Sequence, residues 1–130
     1  MRAHSSRSVL LAAFALALGV AGCASSGGGG GSRPAGASSN RIVQAELEPL
    51  GQLDALQAVQ RLRARWLTTR AGSGQDPVLY VDGTRRGAPD ELRFIRADEV
   101  RQMDFMSGPD ASTRFGTGHQ GGAILVLSRR

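Results

Sequence analysis

The chain contains no lysine, one cysteine, one tryptophan and one tyrosine in 130 residues. Its 16 basic residues are all arginine, against 11 acids. A zinc site needs about four Cys, His or carboxylate ligands held together, and a single cysteine with two histidines does not supply them. Base-stacking platforms need exposed aromatics. Here Trp66, Tyr80, Phe94, Phe105 and Phe115 are scattered through the second half of the chain, and the arginines alternate with acids, so nucleic acid is not an expected partner. Long apolar runs are missing too. The longest, Val9 to Val20, covers twelve residues, short of the roughly 20 that a helix needs to cross hydrocarbon. A five-glycine run, Gly27 to Gly31, has no lysine after it and opens no Ser/Thr-capped helix, so it does not read as a phosphate loop.

What is present is organised in three parts. Arg2 and Arg7 precede the apolar run, and small residues surround the cysteine in Val20-Ala21-Gly22-Cys23. A basic head, a short apolar stretch and a small-residue cleavage site describe an export signal over residues 1–22. Val-Ala-Gly-Cys resembles the bacterial lipobox. The resemblance implies cleavage before Cys23, acylation of its sulfur and attachment to a membrane through that lipid. Several acyl chains on one residue anchor stably where one chain does not. Acylation would also account for an exported odd cysteine, otherwise a loose thiol. Ala24 stands where an aspartate would imply inner-membrane retention, so the expected location is the outer membrane, facing the periplasm. Residues 23–40, rich in Gly and Ser, read as a flexible tether, because they offer too little apolar surface to offset their ordering entropy. Without Arg2 and Arg7 the balance is 14 arginines to 11 acids, a mild +3.

Residues 41–130 suit one small domain, near the size at which only about 60–65% of the chain's surface becomes buried. Ala55, Val59, Leu62 and Trp66 recur at i, i+4, i+7 and i+11, which predicts one main helix over Leu53–Leu67 with Asp54, Arg61 and Arg65 outward. Gly51 or Asp54 would begin it, and Gly72 with Gly74 would end it. Val78-Leu79-Tyr80-Val81 predicts a strand closed by an Asp82-Gly83 turn. Leu92 and Ile95 suit a short helical turn, and Asp98-Glu99-Val100 another, feeding a strand near Arg101–Met106. Ser107-Gly108-Pro109-Asp110 reads as a break, and Ala111–Phe115 as a short helical or looped piece. Ala123–Leu127 is an unbroken apolar strand that suits burial on both faces, and Ile42-Val43 would add an edge strand. The expected fold is α/β of the α+β kind: a small mixed sheet of about three to five short strands, one main helix and short helical turns.

These motifs, taken in order, resemble the plug domain of TonB-dependent outer-membrane receptors. Val78-Leu79-Tyr80-Val81-Asp82-Gly83 is similar to its x-V-x-V-D-G element. Leu92 to Met106 is similar to the stretch that ends I-E-V-L, with Met103, Asp104, Phe105 and Met106 in the last four places. Ser107-Gly108-Pro109-Asp110-Ala111 matches x-G-P-x-A, Arg114-Phe115-Gly116 matches x-Y-G, and Gly121-Gly122-Ala123-Ile124-Leu125-Val126 matches G-G-x-I-x-I. The ordered set spans most of Leu53–Leu127. In this pattern Asp82, Gly83, Gly108, Pro109, Gly116, Gly121 and Gly122 are structural: Gly83 for a turn with positive φ, Gly108 for a reversal after a strand, Gly121 and Gly122 for close approach to the sheet. No run of alternating strands of about ten residues follows Leu127 to build a barrel. Arg41-Ile42-Val43-Gln44-Ala45-Glu46 is a poor match for the segment that contacts TonB. The resemblance thus implies a plug-like domain standing alone.

Chemistry is sparse. His119 is the one histidine beyond the signal, without a second histidine or a cysteine beside it in sequence. Ser107, Ser112, Thr113 and Thr117 lie in no nucleophile elbow. Asp98, Glu99 and Asp104 with Arg96 and Arg101 read as solvated charges and helix-start caps. Gly116-x-Gly118 with Gly121-Gly122 precedes a strand, where a dinucleotide loop would follow one. No catalytic residues, metal or cofactor are expected. The expected function is a non-catalytic binding module of the cell envelope, with an outer-membrane barrel, a surface glycan or peptide, or a second copy as partner. The alternative is an accessory to TonB-dependent transport that occupies or gates a separately encoded barrel. A third reading, an enzyme using His119, is the least supported.

Overall fold

The structure, a computed structural model, describes residues 32–68 and 74–130. Cys23, the 1–22 segment, the glycine run and Gly72 lie outside the described residues. Five strands form one mixed sheet: β1 (Arg41–Val43), β2 (Val78–Val81), β3 (Thr84–Gly87), β4 (Val100–Met106) and β5 (Ala123–Ser128), in the order β1-β4-β5-β2-β3. Three helices, α1 (Gln44–Leu47), α2 (Ala55–Arg63) and α3 (Gly108–Phe115), and several 3-10 turns complete an α+β domain. β5 lies in the middle, antiparallel to β4 and parallel to β2.

Register decides which side chains share a face. Val81, Val126, Met103 and Ile42 form one row, and Leu79, Ile124 and Phe105 another, all on the same face. Helices α1 and α2 and the 3-10 turn at Pro89–Phe94 cover that face, burying Leu47, Ala55, Val59, Leu92 and Trp66 against it. Trp66 stacks on Phe105 with ring centroids 5.8 Å apart. The opposite face carries Val78, Tyr80, Ala123, Leu125, Asp104 and Arg41, and only α3 and the loop after it cover it. Leu127 is on this face and 43% exposed, so burial of β5 on both faces holds for its first residues and fails at its end.

The apolar stripe explains α2. Ala55, Val59 and Trp66 are buried and Leu62 packs against the same core. Asp54 caps the start, its carboxylate accepting from the Gln57 amide at 2.7 Å. The α-helix is shorter than the stripe: it ends at Arg63, and a 3-10 turn, Ala64–Trp66, carries Trp66 into the core. Ser107–Asp110, expected as a break, instead opens α3. Ser107 is the N-cap and Pro109 falls in the first turn, where its missing N–H costs nothing. Strand β3 was not foreseen. Asp82 (φ 48°) and Gly83 (φ +80°) form a two-residue turn that folds Thr84–Gly87 back on β2.

The α-helix stops at Arg63, whose backbone leaves the helical region (φ −147°, ψ 52°). Its guanidinium is buried and pairs with Glu46 at 2.9 Å, the two side chains only 6% and 8% exposed. It also donates to the carbonyls of Ser38 (3.0 Å), Leu62 (2.9 Å) and Arg41 (3.3 Å). The Trp66 indole N–H donates to Ser39 O at 3.0 Å, and Arg65 donates to Ser39 O and Asn40 Oδ1. These donors fix the chain from Ser38 onward, so Arg41-Ile42-Val43-Gln44-Ala45-Glu46 becomes β1 and α1, with Ile42 buried.

Removing one member of the buried pair strands the other's charge. Glu46→Gln or Arg63→Met is expected to cost about 3–5 kcal/mol in urea unfolding, and the double replacement Glu46→Leu/Arg63→Met much less than the two costs added.

Candidate functional site

The motif residues gather at the two ends of the β2–β5 pair. At the end where both strands begin, three backbone segments touch through glycine. A Cβ on Gly108 would lie 2.2 Å from the Gln120 carbonyl oxygen, one on Gly121 2.2 Å from Gln75 O, and one on Gly122 2.4 Å from Met106 O. Gly122 also has φ +97°. Gly108 lies where β4 gives way to α3, and the loop before β5 passes so close that it leaves no room for a Cβ there. Gly116 ends α3 at φ +89°, its N–H donating to Ser112 O at 2.9 Å.

At the opposite end, the Asp82 carboxylate ties the turn to the end of β5. It accepts from the Ser128 amide at 3.0 Å and from the Ser128 hydroxyl, while the Asp82 amide donates to Val126 O at 2.9 Å. The Ser128 hydroxyl, then its amide, hold the Asp82 pKa below the ordinary 3.8. Arg96 donates two bonds to Asp98, 3.0 and 2.9 Å, which lower the Asp98 pKa in the same way. Asp104 accepts from Arg41 and Gln102, each at 2.6 Å. All are local ties between partly or wholly exposed groups.

His119 is buried on the face covered by α3. Its Nδ1 donates to the Gly116 carbonyl at 2.9 Å, and its Nε2 shares a hydrogen bond with the Tyr80 hydroxyl, also 2.9 Å. Tyr80 stacks on Phe115 with centroids 4.4 Å apart. Both imidazole nitrogens are therefore occupied in closing the loop between α3 and β5. Among the described residues no group of three or more His, Cys, Asp or Glu is placed to hold a metal.

The described residues form at least two surface recesses. One, about 290 Å³, lies on the partly covered face between Arg41, Asp104, Met106, Arg114 and Leu125. The other, about 330 Å³, lies on the main-core face where the helices stop short of the sheet edge. Leu79, Val81 and Val126 form its floor, with Ile95 beside them, and Arg86, Glu91 and Glu99 contribute charged walls. Phe94 stands at its side, 81% exposed. Sequence reasoning assigned Phe94 no role, because an aromatic residue is by default core. The signal available was the 3-10 turn itself, which buries Leu92 and thereby turns the residue two places later outward.

No family model, curated protein or solved structure matches this chain.

The crossing and the turn predict different sensitivities. Gly121→Ala forces two backbones apart, so failure to reach the soluble folded state or a loss above about 3 kcal/mol is expected. Gly83→Ala meets no atom within 4 Å and should cost only about 1 kcal/mol, for its positive φ. Urea titration ranks the two. The Asp82 tie also has a sign in pH. Because its folded pKa is lowered, its contribution is complete above the unfolded value of 3.8 and is lost as pH falls through the lower folded value. Ser128→Ala removes the largest cause, so acidification below about pH 5 should destabilise that variant less than the parent, read from chemical denaturation at each pH.

Proposed function

We propose that this protein is a plug-like lipoprotein, anchored through Cys23 at the periplasmic face of the outer membrane, and that it acts by binding another envelope component. The observation that carries the reading is the sheet itself. Tyr80-Val81, Met103-Asp104-Phe105 and Ile124-Leu125-Val126, which hold the core of the motif resemblance, pair side by side in one sheet, with Tyr80 opposite Leu125 and Leu125 opposite Asp104. Had they fallen in separate layers, the resemblance would have had no structural support. The motif glycines add to this, since each sits where backbone geometry asks for it.

A non-catalytic role is supported by how the polar groups are used. Asp82 joins two strands, Asp98 pairs with Arg96, and His119 closes a loop with both nitrogens occupied. Each has a folding task, and none faces a recess with a second reactive group beside it. The surface recesses beside Arg114 and beside Phe94 are candidate places for binding.

Anchoring is tested with Cys23→Ala. The parent should incorporate labelled palmitate and sediment with membranes. The variant should do neither, and a variant that stays lipidated or membrane-bound would sink the reading. Detergent extraction followed by affinity purification then tests the partner. A barrel protein retained stoichiometrically would place the chain in transport.

A further inference from the structure

The recess beside Arg114 lies where the chain from Cys23 joins the domain. Ser38 and Asn40 line it, and both are held to the fold there. Arg63 donates to the Ser38 carbonyl and Arg65 to the Asn40 side chain. Fourteen residues, 24 to 37, separate Cys23 from Ser38. A Gly/Ser-rich stretch of that length spans about 20 Å on average, less than the roughly 30 Å diameter of a domain this size. A domain held to a lipid layer through Cys23 is therefore presented to that layer by its Ser38 side.

Two arginines line this recess with nitrogens to spare. Arg41 gives its Nε to Asp104 at 2.6 Å, and its two terminal nitrogens make no hydrogen bond among the described residues. Arg114 has no acidic partner there. Its Nη1 reaches only the Met106 sulfur, at 4.0 Å, and its guanidinium lies 5.3 Å from the Phe115 ring centre. Asp104 is the one acid in the lining, and it already accepts from Arg41 and Gln102. Two arginines against one carboxylate leave one positive charge, that of Arg114, beside a space of about 290 Å³. Guanidinium forks match the oxygens of a phosphate. Apolar surface continues from the same place: Met106 and Leu125 line the recess, and Leu127, two residues further along β5, is 43% exposed. A ligand with an anionic head and an apolar body meets both parts, whereas a small anion meets only the arginines.

We propose that this recess takes the phosphate of an anionic phospholipid from the layer that holds Cys23. Arg114 and the free nitrogens of Arg41 are the donors, and Leu127 lies against the apolar part of the lipid. The domain then rests on the membrane by its partly covered face. One net charge is enough because the tether keeps the recess at high effective concentration beside the headgroups, and lipid plus a basic contact anchors better than either alone. The recess beside Phe94 exposes more apolar surface, but charges of both signs stand together there and select no partner. The docking rests on the reading of Cys23 as the lipid-bearing residue.

The test uses the full chain, processed in cells and reconstituted into vesicles of phosphatidylcholine, with or without phosphatidylglycerol. With the Cys23 sulfur acylated, Leu127→Cys supplies a single free thiol for a polarity-sensitive dye, and Arg61→Cys supplies a control on the outer side of α2. The protein should float with both kinds of vesicle. Only with phosphatidylglycerol should the dye at position 127 shift to the blue and be shielded from acrylamide, and the dye at position 61 should not respond. Arg114→Gln should lower the ratio of docked to undocked protein about fivefold, and Arg114→Lys, which keeps the charge, should lose less than about twofold. An unchanged urea midpoint for both variants separates this loss from damage to folding. Equal shielding in neutral vesicles, at both dye positions or in Arg114→Gln overturns the docking. Release by millimolar inorganic phosphate, against chloride at matched ionic strength, assigns the recess to a soluble anion and overturns the lipid as its occupant. Flotation without shielding also overturns the docking, while leaving the lipid on Cys23 standing. A chain that does not float overturns the anchoring itself, and the docking with it.

Discussion

Gly121 brings the chain to contact distance of the Gln75 and Asp76 carbonyls immediately before β5 begins, and the sheet's order follows from that crossing. β5 must pass between β4 and β2, antiparallel to one and parallel to the other. To enter there it runs past the backbone of α3 at Gly108 and the end of β4 at Met106. Any side chain at Gly108, Gly121 or Gly122 would overlap a carbonyl oxygen, so the strand could not reach its place. Remove the central strand and both cores lose their floor: Ile124 and Val126 on one face, Ala123 and Leu125 on the other. Hydrophobic burial drives this fold, but a steric allowance at three glycines decides where the burial occurs.

A second constraint works at the other end of the chain order. β1 has only three residues and pairs with β4 alone, which is little to hold an edge strand. The donors of Arg63, Arg65 and Trp66 supply the rest by taking up the carbonyls of Ser38, Ser39 and Arg41. Arginine suits the task because its planar fork satisfies several acceptors at once. Burying that charge would be unfavourable without Glu46, and Glu46 would be unfavourable without Arg63. The pair therefore makes docking of β1 nearly all-or-none, and the chain leading to it has a defined point of attachment at Ser38.

Much of this was legible in the sequence, and the exceptions share a cause. The stripe Ala55, Val59, Trp66 and the runs Val78–Val81 and Ala123–Leu127 carry their periodicity locally, so helix and strands could be read directly. Asp82-Gly83 announced its turn for the same reason. β3 could not be read, because Thr84-Arg85-Arg86 has no apolar alternation and is a strand only because the turn lays it against β2. Arg63 and Glu46 stand 17 residues apart, and no local pattern links them. Helical spacing puts Arg63 four residues after Val59, at the side of the apolar stripe, but names no partner for its charge. Gly108 was singled out for a reversal after a strand, and the structure adds a second demand, its missing Cβ against Gln120. His119 was open in the sequence and became a loop-closing side chain once Tyr80 and Gly116 were placed around it.

Seven of the motif residues shape the backbone. Asp82 and Gly83 make the turn, Gly108, Gly121 and Gly122 make the crossing, Gly116 ends α3, and Pro109 starts it. None of these seven lines either recess, but Leu79, Val81 and Val126 of the motif runs line one, and Asp104, Met106, Arg114 and Leu125 the other. Recognition has to come from side chains free of those duties. Among the described residues these include Arg114 with Met106 and Leu125 on the partly covered face, and Phe94 with Arg86, Glu91 and Glu99 at the sheet edge. The first group sits beside the Arg41–Asp104 ion pair, whose charges already offset one another. The second leaves Phe94 81% exposed beside charges of both signs, so it is the surface with more to gain from being covered.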